Sequence, residues 1–311
     1  MSNRAEAGVK GEQVGGMLGL STHAKGIVIT AAGVLAITPD TLLIRLISAD
    51  PWTLLACRSL LMGLAMTLGL AVYHRRGTLA CFRSIGRRGI LLSLLLALAG
   101  LLFVMAVAHT SVANTLIIMC AAPLFAAIMS HLFLKEPVAP RTWIAVILAL
   151  FGVAIIVWGS LGGGPGGVHL LGDLLALGAS AALAGSFTMI RGSRAINMIP
   201  AAALSGLFAG LAALPLASPL SLAPSDVGYL LLMGLVMLPV SFALTTLGPR
   251  YLPAPEVSLL MLLETFLGPL WVWLVLREEP SPQALIGGTV IVTVLVVHSA
   301  VALRRTQAAT A

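Results

Sequence analysis

Stretch after stretch of this chain is apolar over lengths that match the thickness of a lipid bilayer, and that succession constrains the fold more than any other feature. A helix crossing the hydrocarbon core needs about 17–25 mostly apolar residues. Such runs fall at 26–48, 52–73, 89–108, 112–134, 142–160, 169–190, 200–218, 226–248, 252–276 and 284–303. Some connectors, such as Ser48 to Pro51 and His109 to Ser111, are so short that the spans they join must be antiparallel neighbours. Composition agrees: 59% of the 311 residues are hydrophobic and 9% charged, too few charges to coat a soluble surface. The expected fold class is therefore all-α and integral to the membrane, with ten transmembrane helices. No short apolar core with a cleavage site follows the polar first two dozen residues, so the first span is expected to serve as its own insertion signal.

The net charge of +7 would suit a nucleic-acid partner if the basic residues were scattered. They are sorted instead. With the amino terminus in the cytoplasm, Arg4, Lys10 and Lys25 lie in the first tail and Arg75, Arg76, Arg83, Arg87 and Arg88 follow span 2. Lys135 and Arg141 follow span 4, Arg191 and Arg194 span 6, Arg250 span 8, and Arg304 and Arg305 span 10. Fifteen of the eighteen Lys and Arg thus fall on one side, as the positive-inside rule requires for an even number of spans. Both termini are expected in the cytoplasm of a bacterial cell whose inner membrane the chain spans. The partners of the Arg75 to Arg88 loop are then anionic lipid headgroups, with no nucleic acid. Cys57, Cys81 and Cys120 form no metal-binding or redox spacing, and neither a cofactor nor a metal is expected. The Gly162 to Gly167 stretch lacks the Lys-Ser/Thr of a phosphate loop.

One charged hinge occurs twice. Leu134-Lys135-Glu136-x-x-x-Pro140 returns 142 residues later as Leu276-Arg277-Glu278-x-x-x-Pro282, and Met119, Leu132 and Ile144 match Met261, Leu274 and Ile286 at the same offset. Five spans separate the copies, so they face opposite sides, the arrangement of inverted-repeat secondary transporters. The halves are read as 26–160 and 169–303, joined by a linker at 161–168 and flanked by tails at 1–25 and 304–311. The residues Pro51-x(6)-Arg58, His109 to Asn114, Pro123 and Leu134-Lys135-Glu136 in the first half carry a resemblance. So do Pro253-Ala-Pro255, Leu263 to Trp271 and Arg277-Glu278 in the second. Together they resemble the drug/metabolite transporter superfamily, EamA type, over roughly 26–305. Thr265 stands where that family commonly has a proline, the counterpart of Pro123. The resemblance implies transport of small metabolites.

A charge in hydrocarbon costs about 2.5–3.5 kcal/mol on insertion scales, so each intramembrane charge calls for a reason. Glu264 is twelve residues into span 9, about 18 Å deep at 1.5 Å per residue. It reads either as a proton-coupling or substrate-amine site, or as a neutral acid bonded to a neighbouring helix. Pro269 beside it frees a backbone carbonyl. Asp40 lies in Thr38-Pro39-Asp40-Thr41, a helix-start sequence inside span 1, with Thr as cap and the acid in the first turn. It reads as part of a broken-helix site or merely as a cap for its own half-helix. Arg58, about 9 Å into span 2, reads as paired with Asp40 or snorkelling, or as a ligand for a substrate carboxylate. Arg45 reads as structural and Glu256 as a residue of the cytoplasmic mouth.

Asp173 reads as a helix-start acid, and His109, His131 and His298 as interfacial residues. Trp143, Trp158, Trp271 and Trp273 read as interfacial anchors. Gly206-x-x-x-Gly210 permits close helix contact, although such a spacing arises easily among 32 glycines. The expectation is a secondary transporter, not an enzyme, whose site comprises Glu264, Asp40, Arg58, Asn114 and Pro123, with Glu264 as the proton-coupling residue. The buried charges suit an amino acid or amine. The alternatives are an integral-membrane enzyme acting on lipid, for which no interfacial catalytic cluster is visible, and a scaffold or sensor.

Overall fold

A computed structural model describes residues 22–135, 140–162, 168–191, 198–218, 222–247, 251 and 254–310. Among the described residues there are helices and no strands. In chain order they are α1 (Thr22–Ile37), α2 (Asp40–Leu46), α3 (Pro51–His74), α4 (Thr78–Ser84), α5 (Gly86–His109), α6 (Val112–Met119) and α7 (Ala122–Leu134). The second half supplies α8 (Pro140–Gly162), α9 (Val168–Arg191), α10 (Met198–Ala213), α11 (Pro224–Leu231), α12 (Leu238–Leu247), α13 (Ala254–Leu276) and α14 (Pro282–Thr310).

Among the described residues, eight stretches, from Ala24–Leu46 to Pro224–Thr245, are long and apolar enough to cross a membrane. The ninth and tenth apolar runs lie in α13 and α14, whose described apolar stretches are the shorter Leu263–Leu276 and Pro282–Val294. Large apolar side chains cover the outside: Phe133 is 76% and Trp158 77% exposed. Water would penalise such a surface, whereas lipid tails do not.

Among the described residues, three spans depart from the α-helix within their length. The first breaks at Thr38-Pro39, because proline at 39 has no N–H to continue the ladder. The expected cap is corrected here. Pro39, not Thr38, occupies the N-cap position, and the Thr38 hydroxyl donates back to the Leu35 carbonyl at 3.0 Å. The fourth span, expected as one helix, breaks at Cys120-Ala121 just before Pro123. The eighth widens into a π-turn over Leu232–Met237, ahead of Pro239, which lacks the N–H that an α-turn would use.

Helix packing repeats when the halves are exchanged, with α9, α10, α11–α12, α13 and α14 taking the places of α1–α2, α3, α5, α6–α7 and α8. Helix α5 packs along α9 as α12 packs along α1; α7 meets α9 as α13 meets α1; α10 meets α5 as the π-turn meets α3. Three pairs, α3 with α10, α8 with α14 and α6 with α13, join equivalent helices across the halves. Glycines let these backbones touch. A Cβ on Gly206 would fall 2.8 Å from both Gly63 N and Ser59 O, and one on Gly152 would fall 2.9 Å from Gly287 O. Gly210 likewise faces Leu60, so the Gly206-x-x-x-Gly210 spacing is a packing surface. The hinge repeat also has a backbone signature: Lys135 (φ 54°) and Arg277 (φ 57°) both adopt the left-handed conformation that ends a helix.

Candidate functional site

Interrupted helices α1–α2, α6–α7 and the proline-containing α13 meet beside α3. The break before Asp40 leaves its side chain buried at the first turn of α2, and Arg58 of α3 reaches it, Nη2 lying 3.1 Å from Asp40 Oδ2. Asp40 is 2% and Arg58 7% exposed, so this pair sits in the protein interior. Burying both ions costs desolvation that the pair recovers only through its geometry. Three polar atoms around it, Asp40 Oδ1, Arg58 Nη1 and Thr41 Oγ1, are buried with no hydrogen-bond partner among the described residues. The π-turn closes over α3 at this level: a Cβ on Gly234 would fall 3.0 Å from the Arg58 carbonyl oxygen.

From α13, Glu264 lies within electrostatic reach of Asp40 and of Cys120. Its neighbour Thr265 contacts the Cys120 sulfur at the α6–α7 break, and Trp271 donates from Nε1 to the Thr38 hydroxyl at 3.2 Å. Gly268 allows this approach, with Thr41 Oγ1 3.3 Å from where its Cβ would be. Trp271, expected as an interfacial anchor, is instead tied to the α1–α2 break. Cys120 stands at the second break against Thr265 and within electrostatic reach of Glu264.

Asn114 belongs elsewhere. It lies in the first turn of α6, and its amide donates to Thr110 Oγ1 (3.4 Å) and Asp173 Oδ1 (3.2 Å). Asp173 is fully buried in the second turn of α9 and also accepts from the Thr110 hydroxyl at 2.8 Å. Its expected role as a helix-start acid is thereby corrected: it joins α9 to the α5–α6 connection. Pro123, Glu256 and His298 lie on helices, but their side chains are outside the described residues, as is the whole of Glu136.

The same end of the bundle holds further polar contacts. Arg45 donates to the Thr110 carbonyl at 2.6 Å and lies 3.5 Å from Glu278 Oε1, which also accepts from the Val112 amide at 3.1 Å. Asp226 Oδ2 accepts from both the amide and the hydroxyl of Ser48, at 3.1 and 2.7 Å. Ser218 N donates to Thr53 Oγ1 at 2.7 Å. A cavity of about 170 Å³ is lined by Ile44, Arg45, Pro51, Leu54, Val104 and Val107 among others. The sequence could have pointed to Asp173 and Asp226 as acids near span starts, but not to their partners. Among the described residues, no group of three or more His, Cys, Asp or Glu side chains could hold a metal ion.

Comparison with known proteins gives two positive findings. A family model described as the EamA-like transporter family matches residues 24–158 and 170–300. A crystal structure of a protein, 17% identical, has a TM-score of 0.62 and covers 91% of this chain and 99% of its own, a likeness of fold alone. No curated protein matches.

Proposed function

Because the chain belongs to the EamA-like transporter family, a family of multi-pass membrane transporters, we propose that it is a secondary active transporter exporting a small polar metabolite by alternating access. In this reading ten spans form two inverted halves, 26–160 and 169–303, in a bacterial inner membrane with both termini in the cytoplasm. The cargo is an amino acid or amine, and the coupling ion is a proton.

One observation carries the reading: a buried acid–arginine pair and a second acid, Glu264, gather where two interrupted helices meet the proline-containing α13. Continuous helices satisfy their own backbone, so broken ones survive in a bilayer only where they line protein or a cavity. Asp40 Oδ1 supplies an acceptor for a substrate ammonium, and Arg58 Nη1 a donor for a carboxylate. Glu264, at the same level, takes the proton. Asn114, whose amide is engaged by Thr110 and Asp173, holds the end of the bundle and is not assigned to the cargo.

Orientation follows from charge. Arg75, Arg83 and Arg87 are exposed around α4, which packs through Phe82 against the Met62–Met66–Leu70 cluster. This end faces the cytoplasm and anionic headgroups, and the carboxylate-rich end faces outward.

The test is transport into proteoliposomes of a panel of radiolabelled amino acids and monoamines under an imposed pH gradient. Uptake is expected to follow the gradient, and Glu264→Gln to abolish that dependence. A Glu264→Gln protein with the pH dependence of the parent would remove Glu264 from coupling. Transport of none of the panel would remove the cargo assignment.

A further inference from the structure

We infer that the polar contacts at the carboxylate-rich end are an outer gate, a latch in which three second-half carboxylates hold first-half donors and close the outer side in the state seen here. This rests on the orientation proposed above. The pattern of partners carries it. Asp173, Asp226 and Glu278 all belong to the second half, and apart from the adjacent Ser225 hydroxyl on Asp226 Oδ1 the groups they hold here belong to the first: Thr110 and Asn114, Ser48, and Arg45 with the Val112 amide. Ser218 to Thr53 adds a fourth contact across the halves. Asp173 and Asp226 are 0% and 2% exposed, so their bonds to the first half form in a shielded setting, where a charged acceptor binds strongly.

Each of these contacts is directional and must break if the halves separate at this end. The glycine contacts that join equivalent helices are of another kind. Gly63 against Gly206 and Gly152 against Gly287 are glycine-to-backbone packings with no charged partner. Such a contact can act as a pivot, since small rotations keep it packed. A bundle pivoting on glycine and latched by charge at one end has two positions. The cavity between α2, α3 and α5 is bordered by Arg45, the arginine that Glu278 grips, so release of Arg45 would widen it.

The latch also explains why Arg45 tolerates its place near the end of α2. One Glu278 oxygen is shared between its guanidinium and the start of α6, so the second-half hinge carboxylate both caps a first-half helix and grips a first-half arginine. Loss of Glu278 would therefore free two first-half elements at once.

The experiment uses full-length protein with Cys57, Cys81 and Cys120 replaced by alanine and Val107→Cys introduced, in membrane vesicles of known orientation. Val107 is fully buried and lines the same cavity as the latch arginine Arg45. A membrane-impermeant maleimide applied from the outer face reads the opening. Labelling is expected to be slow in this parent and at least tenfold faster with Glu278→Gln, and likewise with Asp173→Asn and Asp226→Asn combined. Ser48→Ala, which removes one of the two Ser48 bonds to Asp226 and keeps the amide bond, is expected to give a smaller acceleration. Monodisperse gel filtration in detergent confirms that each variant is folded. Rates within twofold of the parent from both faces would overturn the gate. Acceleration only from the inner face would overturn its outer assignment, and with it the orientation rather than the latch geometry.

Discussion

The acids of this chain share one chemistry and meet different fates, set by what each can reach. Asp40 is held by Arg58, Asp173 by a hydroxyl and an amide, Asp226 by a serine, and Glu278 by an arginine and a helix start. Asp50 serves its own helix, accepting from the Trp52 and Thr53 amides at 3.0 Å each as the cap of α3. Slight burial pushes its carboxyl up, but the hydrogen bonds from Thr53 and Trp52 outweigh this and hold it below the usual range. Its capping is therefore fully present above the ordinary carboxyl range and is lost as pH falls through the lowered value. Asp50→Ala is expected to cost about 0.5–2 kcal/mol. Thermal unfolding in detergent at pH 7 and near pH 3 checks this, with the difference from the parent shrinking at the lower pH. Asp50 at Pro51 is a cap that local sequence displays. Asp173 and Asp226 are not legible in that way, because the first-half partners they hold stand 59 to 178 residues off.

Elements follow from local sequence wherever a proline or a glycine dictates them. The break at Thr38-Pro39 was expected, though with the cap on the wrong residue. The break before Pro123 and the π-turn before Pro239 follow the same logic but were masked by unbroken hydropathy, since an apolar run reads alike whether its helix is continuous or not. The Gly206 spacing was ambiguous in sequence because any of many glycines could give it; packing against α3 resolves it. Gly206→Ala drives a Cβ into the Gly63 and Ser59 backbone, which cannot give way as a side-chain tip would. Overpacking of this kind costs about 1–3 kcal/mol. Gly69→Ala, on the same α3 but with nothing within 4 Å of the new Cβ, is the control. A fall of several degrees in detergent Tm is expected for the first and none for the second; equal values would contradict the interface.

At the scale of the molecule, the halves touch through glycine at several levels and through charge at one end, and transport requires the charged end to release. Ser48→Cys with Asp226→Cys, in the cysteine-free background, brings two thiols to a place where the native oxygens are 2.7 Å apart. Oxidative cross-linking is expected to stop transport and reduction to restore it; unchanged flux with complete cross-linking would show that this end need not move. The succession of apolar runs, the one-sided placement of Lys and Arg, and the repeated hinge determined by themselves a membrane chain of two similar halves. Bilayer thickness and the cost of burying charge act on local sequence, and local sequence records them. Tertiary structure alone decided that Asp40 meets Arg58 beside Glu264, that Asn114 serves the end of the bundle, and that three acids of one half hold the other. Those choices depend on which helix faces which, and a uniformly apolar helix surface carries no mark of its neighbour.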